Sequence, residues 1–159
     1  MNILIIATNR YGSPVPVMPV GACLVAEAAE LAGHRVRVLD LMFEQNPLNT
    51  LESELNKSNP DVIGLSIRNI DNNDMQNPVA FFKDLKPLVD TIRSKTPAPV
   101  VLGGAAVPVM PEELLRYIGA DWAVLGDGEV VFPKLLSALS QGEFSDNILG
   151  IAWLEDGVF

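Results

Sequence analysis

Five short strand-like runs, each followed by a helical segment, constrain the fold of this chain more than any other feature; four are mostly apolar, and the second alternates polar with apolar residues. The runs cover residues 2–7, 35–40, 61–67, 99–103 and 121–125, and the helical segments cover 20–32, 48–56, 77–95, 111–118 and 129–139. Strands that alternate with helices at this spacing form a parallel sheet with helices on both faces. The predicted fold is therefore α/β, a five-stranded parallel sheet in a flavodoxin-like or Rossmann-like three-layer sandwich, with the first strand central and the second near an edge.

Composition narrows the class of protein. A chain of 159 residues predicts one domain. A net charge of −9 disfavours nucleic acid as a partner, because phosphate backbones would be repelled. The single cysteine, Cys23, excludes a disulfide framework and a cysteine cluster. The apolar opening run is too short to span a membrane and lacks the flanks of a signal peptide, so we expect no membrane partner and a cytoplasmic location.

The loops that follow four of the strands indicate where a ligand would bind, since ligands of such sheets lie beyond the carboxyl ends of the strands. The loop after Ala7 is long and rich in proline, and the loop after Ser66 is densely polar. The strand at 99–103 is entered through prolines and left through two glycines and two alanines, and 126–129 reads Gly-Asp-Gly-Glu. Small and apolar residues with a few polar groups suit a large, flat cofactor with amide groups at its edge better than a compact phosphate.

Several other chemistries are not supported. A phospho-receiver domain requires an aspartate at the end of the third strand, where Ser66 stands. A dinucleotide fingerprint requires three spaced glycines at the first helix, where only Gly12 and Gly21 occur. The only histidine, His34, follows a helix end at the opposite edge of the sheet, so we interpret it as a surface or capping residue. Cys23 lies in an apolar helix and is expected in the core.

The strand exits carry a resemblance to a known family. Gly64-Leu65-Ser66, Gly103-Gly104 and the segment 126–132 (Gly-Asp-Gly-Glu-Val-Val-Phe) resemble, in this order and spacing, the cobalamin-binding domain that precedes the catalytic domain of cobalamin-dependent radical SAM proteins. The resemblance covers nearly the whole chain. It implies a cobalamin-binding domain at 1–145 and, at 146–159, the start of a hairpin linker, with turn residues Asp156-Gly157, that leads to a radical SAM domain of the same parent chain. S-adenosylmethionine and a 4Fe-4S cluster are expected only in that domain.

The resemblance also implies the roles of individual residues. The corrin ring would lie over the strand ends, above the first loop, and the nucleotide tail would enter between the sheet and a helix. Ser66 would lie near the lower base, small residues would give the tail room, and Arg68 would approach the lower face or a propionamide unless it is a solvated loop residue. The cofactor-binding residues implied are Thr8, Asn9, Arg10, Tyr11, Pro14, Val17, Met18, Ser66, Ile67, Arg68, Asn69, Gly103, Gly104, Ala105, Ala106, Gly126, Asp127, Gly128 and Glu129.

The first loop lacks the histidine that ligates cobalt in the wider cobalamin-binding fold, so no protein ligand to the metal is expected. The function implied is that of the cobalamin-carrying module of a radical SAM enzyme of the methyltransferase kind, and the module itself is expected to have no catalytic residues. Two alternatives remain open. The first is a flavin mononucleotide-binding domain that uses residues 8–13 as a phosphate loop. The second is an interaction module without a small ligand.

Overall fold

A single six-stranded sheet, in the order β2-β1-β3-β4-β5-β6, organises the protein. The computed structural model describes residues 1–13, 15–142 and 148–159. The strands are β1 (Asn2–Ala7), β2 (Arg35–Asp40), β3 (Val62–Ser66), β4 (Val100–Gly103), β5 (Trp122–Val124) and β6 (Ile151–Trp153). The helices are α1 (Val20–Leu31), α2 (Pro47–Ser58), α3 (Leu85–Lys95), α4 (Pro111–Ile118) and α5 (Gly128–Gln141). Short 3-10 turns lie at Phe81–Asp84 and Val107–Val109.

The first five strands are parallel, and β2 lies at an edge, as predicted. Strand β1 is paired on both sides but lies next to that edge, and β3 and β4 are the central strands. Alternate residues of each strand face opposite sides of the sheet and build two separate cores. Leu4 and Ile6 belong to the larger core, on the side of α2, α3 and α4. Ile3 and Ile5 belong to the smaller core, on the side of α1 and α5. The three-layer sandwich is therefore confirmed.

The predicted strand count was one too low, because β6 joins the sheet antiparallel to β5. The pairing brings the rings of Trp122 and Trp153 to 5.7 Å between centroids. Beyond β6, Glu155 and Val158 exchange backbone hydrogen bonds of 2.8 and 2.9 Å. The turn between them has φ of 49° at Asp156 and 78° at Gly157, which is the backbone conformation that an Asp-Gly hairpin turn requires. The predicted division at 145/146 lies outside the described residues.

Three predicted helices differ at their starts, and the fifth begins at Gly128 instead of Glu129. The second begins at Pro47 and not at Leu48, and its cap is Asn46, whose Oδ1 accepts the Asn49 backbone N–H at 3.3 Å, instead of the predicted Asn49 or Thr50. The third was predicted within 77–95, with helical spacing from Phe81 onward, yet its α-helical part begins only at Leu85.

Side chains before the third helix explain its late start. Asn72 Oδ1 accepts the Val79 backbone N–H at 3.0 Å, and Asp74 Oδ1 accepts that of Gln76 at 2.9 Å. Such local hydrogen bonds to the backbone compete with helix formation.

Candidate functional site

A cavity of about 530 Å³ lies between the sheet and the two helices α1 and α5, at the carboxyl ends of the central strands. It is referred to below as the main cavity. The sheet forms one wall of the cavity, through the residues of β1, β3 and β4 that point toward α1 and α5. Because these strands are parallel and in register, their side chains form two layers, one at the strand ends and one deeper.

The outer layer consists of Ala7, Ser66 and Gly103, which are register neighbours on adjacent strands. None of the three has a side chain larger than a hydroxymethyl group, so the space above the sheet stays open. A Cβ atom built on Gly103 would have no atom within 4 Å. The outer layer is therefore the wide part of the main cavity.

The floor of the main cavity consists of Ile5, Gly64 and Val101, the next register neighbours inward, together with Phe132 of α5. A Cβ atom on Gly64 would lie 3.7 Å from Ile5 Cγ1 and 3.7 Å from Phe132 Cζ. Ile5, Val101 and Phe132 are each at most 3% exposed. The cavity is thus closed at its inner end by hydrocarbon and aromatic groups.

Helices α1 and α5 form the side of the main cavity that lies opposite the sheet. Their first turns line it, through Gly21 of α1 and through Gly128 and Glu129 of α5. A Cβ atom on Gly128 would lie only 2.8 Å from Val25 Cγ2, so glycine allows the two helices to approach. The amino ends of both helices, with their partial positive charge, consequently lie at the cavity.

In the part of the chain that the structure describes, the polar side chains that line the main cavity lie at the carboxyl edge of the sheet. They are the last residues of β2 and β3, two loop residues and two residues at the start of α5. These residues are Asn9, Asp40, Ser66, Arg68, Asp127 and Glu129.

Ser66 presents a hydroxyl group at the boundary between this polar edge and the apolar interior. Its carbonyl oxygen accepts hydrogen bonds from the Thr8 backbone N–H at 3.2 Å and from Thr8 Oγ1 at 2.9 Å. No partner of the Ser66 hydroxyl occurs in the described ranges, and Ser66 is half-buried and lines the cavity. Its backbone is thereby fixed while its hydroxyl remains available to a ligand.

Gly104 was predicted to give a ligand room, but its lack of a side chain has a structural cause. Its φ is +100°, and a Cβ atom there would lie 2.5 Å from the carbonyl oxygen of Ile67. The chain leaving β4 folds across this backbone, since Ala106 N–H donates to the Ile67 carbonyl oxygen at 3.1 Å. Gly104 lines the main cavity, but its lack of a side chain is required by this crossing.

The structure brings most of the predicted site residues to the main cavity. Those that line it are Asn9, Val17, Met18, Ser66, Arg68, Gly103, Gly104, Ala105, Gly126, Asp127, Gly128 and Glu129. Ala106 does not line it, because its side chain is 3% exposed and packs in the larger core. Pro14 lies outside the described residues.

The remaining predicted residues line a second cavity of about 450 Å³, which lies beside α3 and the start of α2. They are Thr8, Arg10, Tyr11, Ile67 and Asn69, while Asn9 and Arg68 line both cavities. The rings of Tyr11 and Phe81 lie 4.9 Å apart between centroids at its edge. The predicted set is therefore divided between two adjoining cavities.

Sequence reasoning missed the interior of the main cavity. It proposed strand exits and loops, whereas the cavity also extends along the strands and helices. The missed residues include Ile5, Ala7, Val25, Gly64, Val101, Val124 and Phe132. The available signal was the period of two in β1 and β3, which places Ala7, Gly64 and Ser66 on one face.

Neither the histidine nor the cysteine contributes to the main cavity. His34 follows the end of α1 at the amino edge of the sheet, where its Nδ1 lies 3.4 Å from the Met1 amino nitrogen. Burial, and then the charge of that amino group, lower the pKa of His34. Cys23 is half-buried on α1, so its predicted place in the core was wrong. Within the described ranges, no group of three or more His, Cys, Asp or Glu side chains could hold a metal ion.

None of the helices that the structure describes is long and apolar enough to cross a membrane.

The sequence matches the family described as "B12 binding domain" over residues 11–136. Tryptophan 2-C-methyltransferase from Streptomyces laurentii is 32% identical over 134 residues, which are 84% of this chain and 22% of that enzyme. The chain spans about a quarter of the length of the curated relatives it matches, from 22% to 29%.

Two solved structures of the radical S-adenosylmethionine methyltransferase TsrM from Kitasatospora setae share the fold. One has tryptophan substrate and an S-adenosylmethionine analogue bound, and it superposes with a TM-score of 0.90 at 29% identity, over 97% of this chain and 28% of TsrM. The other, with cobalamin and a 4Fe-4S cluster bound, has a TM-score of 0.88 at 29% identity, over 97% of this chain and 27% of TsrM. Nothing in these comparisons supports a flavin.

Proposed function

The chain belongs to the family of B12-binding domains, and on that premise we propose that its main cavity receives the nucleotide arm of cobalamin while the corrin ring lies over the carboxyl edge of the sheet. The observation that carries the proposal is the shape of the main cavity. It opens at the strand ends and narrows to an apolar floor between the sheet and two helices. A long, thin arm with an aromatic end fits such a space, whereas a compact phosphate would not fill it.

The residues present fit the group. The volume of about 530 Å³ lies in the usual range for ligand cavities, which is roughly 300–1,000 Å³. The outer layer of Ala7, Ser66 and Gly103 leaves clearance for the arm, and a Cβ atom on Gly103 would meet open space. The polar edge offers hydrogen-bonding groups where the arm and the amide side chains of the ring would pass.

Individual residues then have distinct tasks. The Ser66 hydroxyl donates a hydrogen bond to the nitrogen of the lower base, because it is the polar group nearest the floor in the register of the strands. Arg68, which has no ion pair in the described part of the chain and lines both cavities, lies beneath the ring or beside one of its amides. The residues of the second cavity support the ring edge on the opposite side of the strand ends.

Cobalt receives no protein histidine in this proposal. The chain has one histidine, His34, and it lies at the amino edge of the sheet, away from the main cavity. Bound cobalamin would supply a cobalt centre able to carry a methyl group. An electron paramagnetic resonance spectrum of the Co(II) form should lack axial nitrogen hyperfine coupling, and coupling that disappears in His34→Gln would contradict the proposal.

The parent activity is also proposed. The cobalamin domain, 1–145, would be the cofactor-carrying part of a longer radical SAM methyltransferase, which would itself hold S-adenosylmethionine and a 4Fe-4S cluster and would be cytoplasmic. Support comes from the curated relatives, of whose length this chain spans about a quarter, and from the two TsrM structures. One of these structures has a 4Fe-4S cluster bound, and the other has an S-adenosylmethionine analogue bound. Residues 148–159 would then lead toward the radical SAM domain of the same parent chain.

Retention of cofactor tests the proposal against its two alternatives. The chain is mixed anaerobically with aquocobalamin or with flavin mononucleotide, separated by gel filtration, and examined by visible spectroscopy. We expect the cobalamin bands to co-elute with the protein. Retained flavin, or no retained colour with either compound, would overturn the proposal in favour of a flavin domain or of a ligand-free interaction module.

A further inference from the structure

We propose that the main cavity selects among cobalamin-like cofactors by their lower base, accepting apolar bases such as dimethylbenzimidazole and discriminating against purines such as adenine. The inference rests on the proposed function, because it requires the nucleotide arm to enter the main cavity. It adds the chemical class of the base, which follows from the groups that form the floor.

The floor offers a base no polar side chain. Ile5, Val101 and Phe132 are apolar and almost fully buried, and Gly64 has no side chain. The backbone of the floor is occupied as well. Strand β3 is paired on both sides, with β1 and β4, and β4 is paired with β3 and β5, so their N–H and C=O groups are used within the sheet.

The polar side chains of the main cavity lie outside the floor. Ser66 is in the outer layer, and the other polar side chains belong to the end of β2, to loops and to the start of α5. Among the side chains of β1, β3 and β4 that line the cavity, a base that reaches the floor meets one hydroxyl group, that of Ser66. Dimethylbenzimidazole, detached from cobalt, has one ring nitrogen that needs a partner, and this hydroxyl can donate to it.

Adenine would be left incompletely satisfied in the same position. It carries an exocyclic amino group and additional ring nitrogens, and the floor offers these groups no hydrogen-bond partner. Sites that leave buried polar groups unpaired discriminate strongly against the ligand concerned. We expect the adenine-containing cofactor to bind at least tenfold more weakly than cobalamin, which corresponds to about 1.4 kcal/mol.

The floor also favours the two methyl groups of dimethylbenzimidazole. Ile5 Cγ1 and Phe132 Cζ each lie 3.7 Å from the position that a Cβ atom of Gly64 would take, so the surface around Gly64 is hydrocarbon. Methyl groups that contact this surface are removed from water, and each buried methyl typically improves affinity about fourfold. Hydrophobic contact and the lack of polar partners thus act in the same direction.

The test compares four ligands with the 159-residue chain. Equilibrium dialysis, read by visible absorbance, gives dissociation constants for aquocobalamin, its adenine-containing analogue, a cresol-containing analogue and cobinamide, which lacks the nucleotide. We expect cobalamin and the cresol analogue to bind most tightly, because both bases are apolar. The adenine analogue and cobinamide should be at least tenfold weaker.

Val101→Thr tests the floor directly, with Val62→Thr as the matched control. The first substitution adds a hydroxyl group to the floor of the main cavity. The second adds it on the same face of the sheet at a buried position that does not line the cavity. Val101→Thr should reduce the preference for cobalamin over the adenine analogue by about threefold or more, while Val62→Thr should leave the ratio unchanged.

The outcomes separate this inference from the proposed function. Equal affinities for cobalamin and its adenine analogue would overturn the selectivity and leave the proposed function standing. Cobinamide binding as tightly as cobalamin would show that the arm is outside the main cavity and would overturn both. Absence of binding by all four ligands would overturn the proposed function itself. If Val101→Thr fails to fold, the ligand series with the unaltered chain still decides.

Discussion

Adjacent glycines at the end of β4 are required for different reasons. A Cβ atom on Gly104 would lie 2.5 Å from the Ile67 carbonyl oxygen, at a φ of +100°, whereas one on Gly103 would meet nothing within 4 Å. Replacement of Gly104 therefore strains the backbone, and replacement of Gly103 fills space in the main cavity. Substitutions at these two neighbouring positions should therefore have different effects, on stability at Gly104 and on ligand binding at Gly103.

Gly104→Ala should destabilise the folded chain by about 1–3 kcal/mol or more, because the positive φ and the close backbone contact both oppose a side chain. The free energy of unfolding in urea, measured without any ligand, checks this. An unchanged unfolding midpoint would contradict the assigned role of Gly104.

Gly103→Val should give the opposite pattern. Its side chain would project into the outer layer of the main cavity, so cobalamin retention should fall at least tenfold while the melting temperature stays within a few degrees. Gel filtration after mixing with aquocobalamin, together with a thermal melt, measures both effects. Full retention of cobalamin by this variant would contradict the placement of the arm beside Gly103.

At the scale of the elements, the start of α2 gives a test that is independent of the ligand. Asn46→Ala removes the side chain that accepts the Asn49 backbone N–H and should cost about 1 kcal/mol of stability. Asn49→Ala is the matched control, because it keeps the backbone donor, and should change stability by much less. Chemical unfolding of both variants measures the difference, and equal losses would contradict the assigned cap.

The turn between α1 and β2 makes stability depend on pH. The pKa of His34 is lowered from its ordinary value of 6.5 by burial and by the Met1 amino group, so the unfolded chain binds a proton more readily than the folded chain. This contribution to stability is complete above the ordinary pKa and is lost as the pH falls toward the lowered value.

When the pH is lowered from about 8 to about 5.5, the free energy of unfolding should therefore decrease more for the unaltered chain than for His34→Gln. The variant serves as the control for carboxylates that titrate in the same range. An equal decrease in both proteins would show that His34 makes no such contribution.

Element boundaries also show what the sequence could predict. Strands β1, β3, β4 and β5 were identified because a short, buried parallel strand is mostly apolar. Strand β2 was identified because its residues alternate between polar and apolar, as expected for a strand near an edge. The late start of α3 was missed because the side chains of Asn72 and Asp74 hold backbone N–H groups outside the helix. The pairing of β6 with β5 was missed because three residues give too little periodicity to indicate a partner strand.

At the scale of the whole molecule, the parallel order of the strands creates the candidate site. It brings the loops after Ala7, Ser66 and Gly103 to one edge of the sheet, which was predictable from the alternation of strands and helices. The depth of the main cavity was not predictable in the same way. It depends on register across three strands, through which Gly64 lies between Ile5 and Val101, and on the packing of Phe132 from a distant helix.

A crystal structure of this chain, from crystals grown with aquocobalamin, tests the proposed cobalamin site most directly. We expect the lower base to be detached from cobalt and to lie between the sheet and α1 and α5, over Gly64 and against Phe132, with its ring nitrogen within hydrogen-bonding distance of the Ser66 hydroxyl. A lower base still bound to cobalt, or a cobalamin placed elsewhere on the molecule with the main cavity unfilled, would contradict the proposed site.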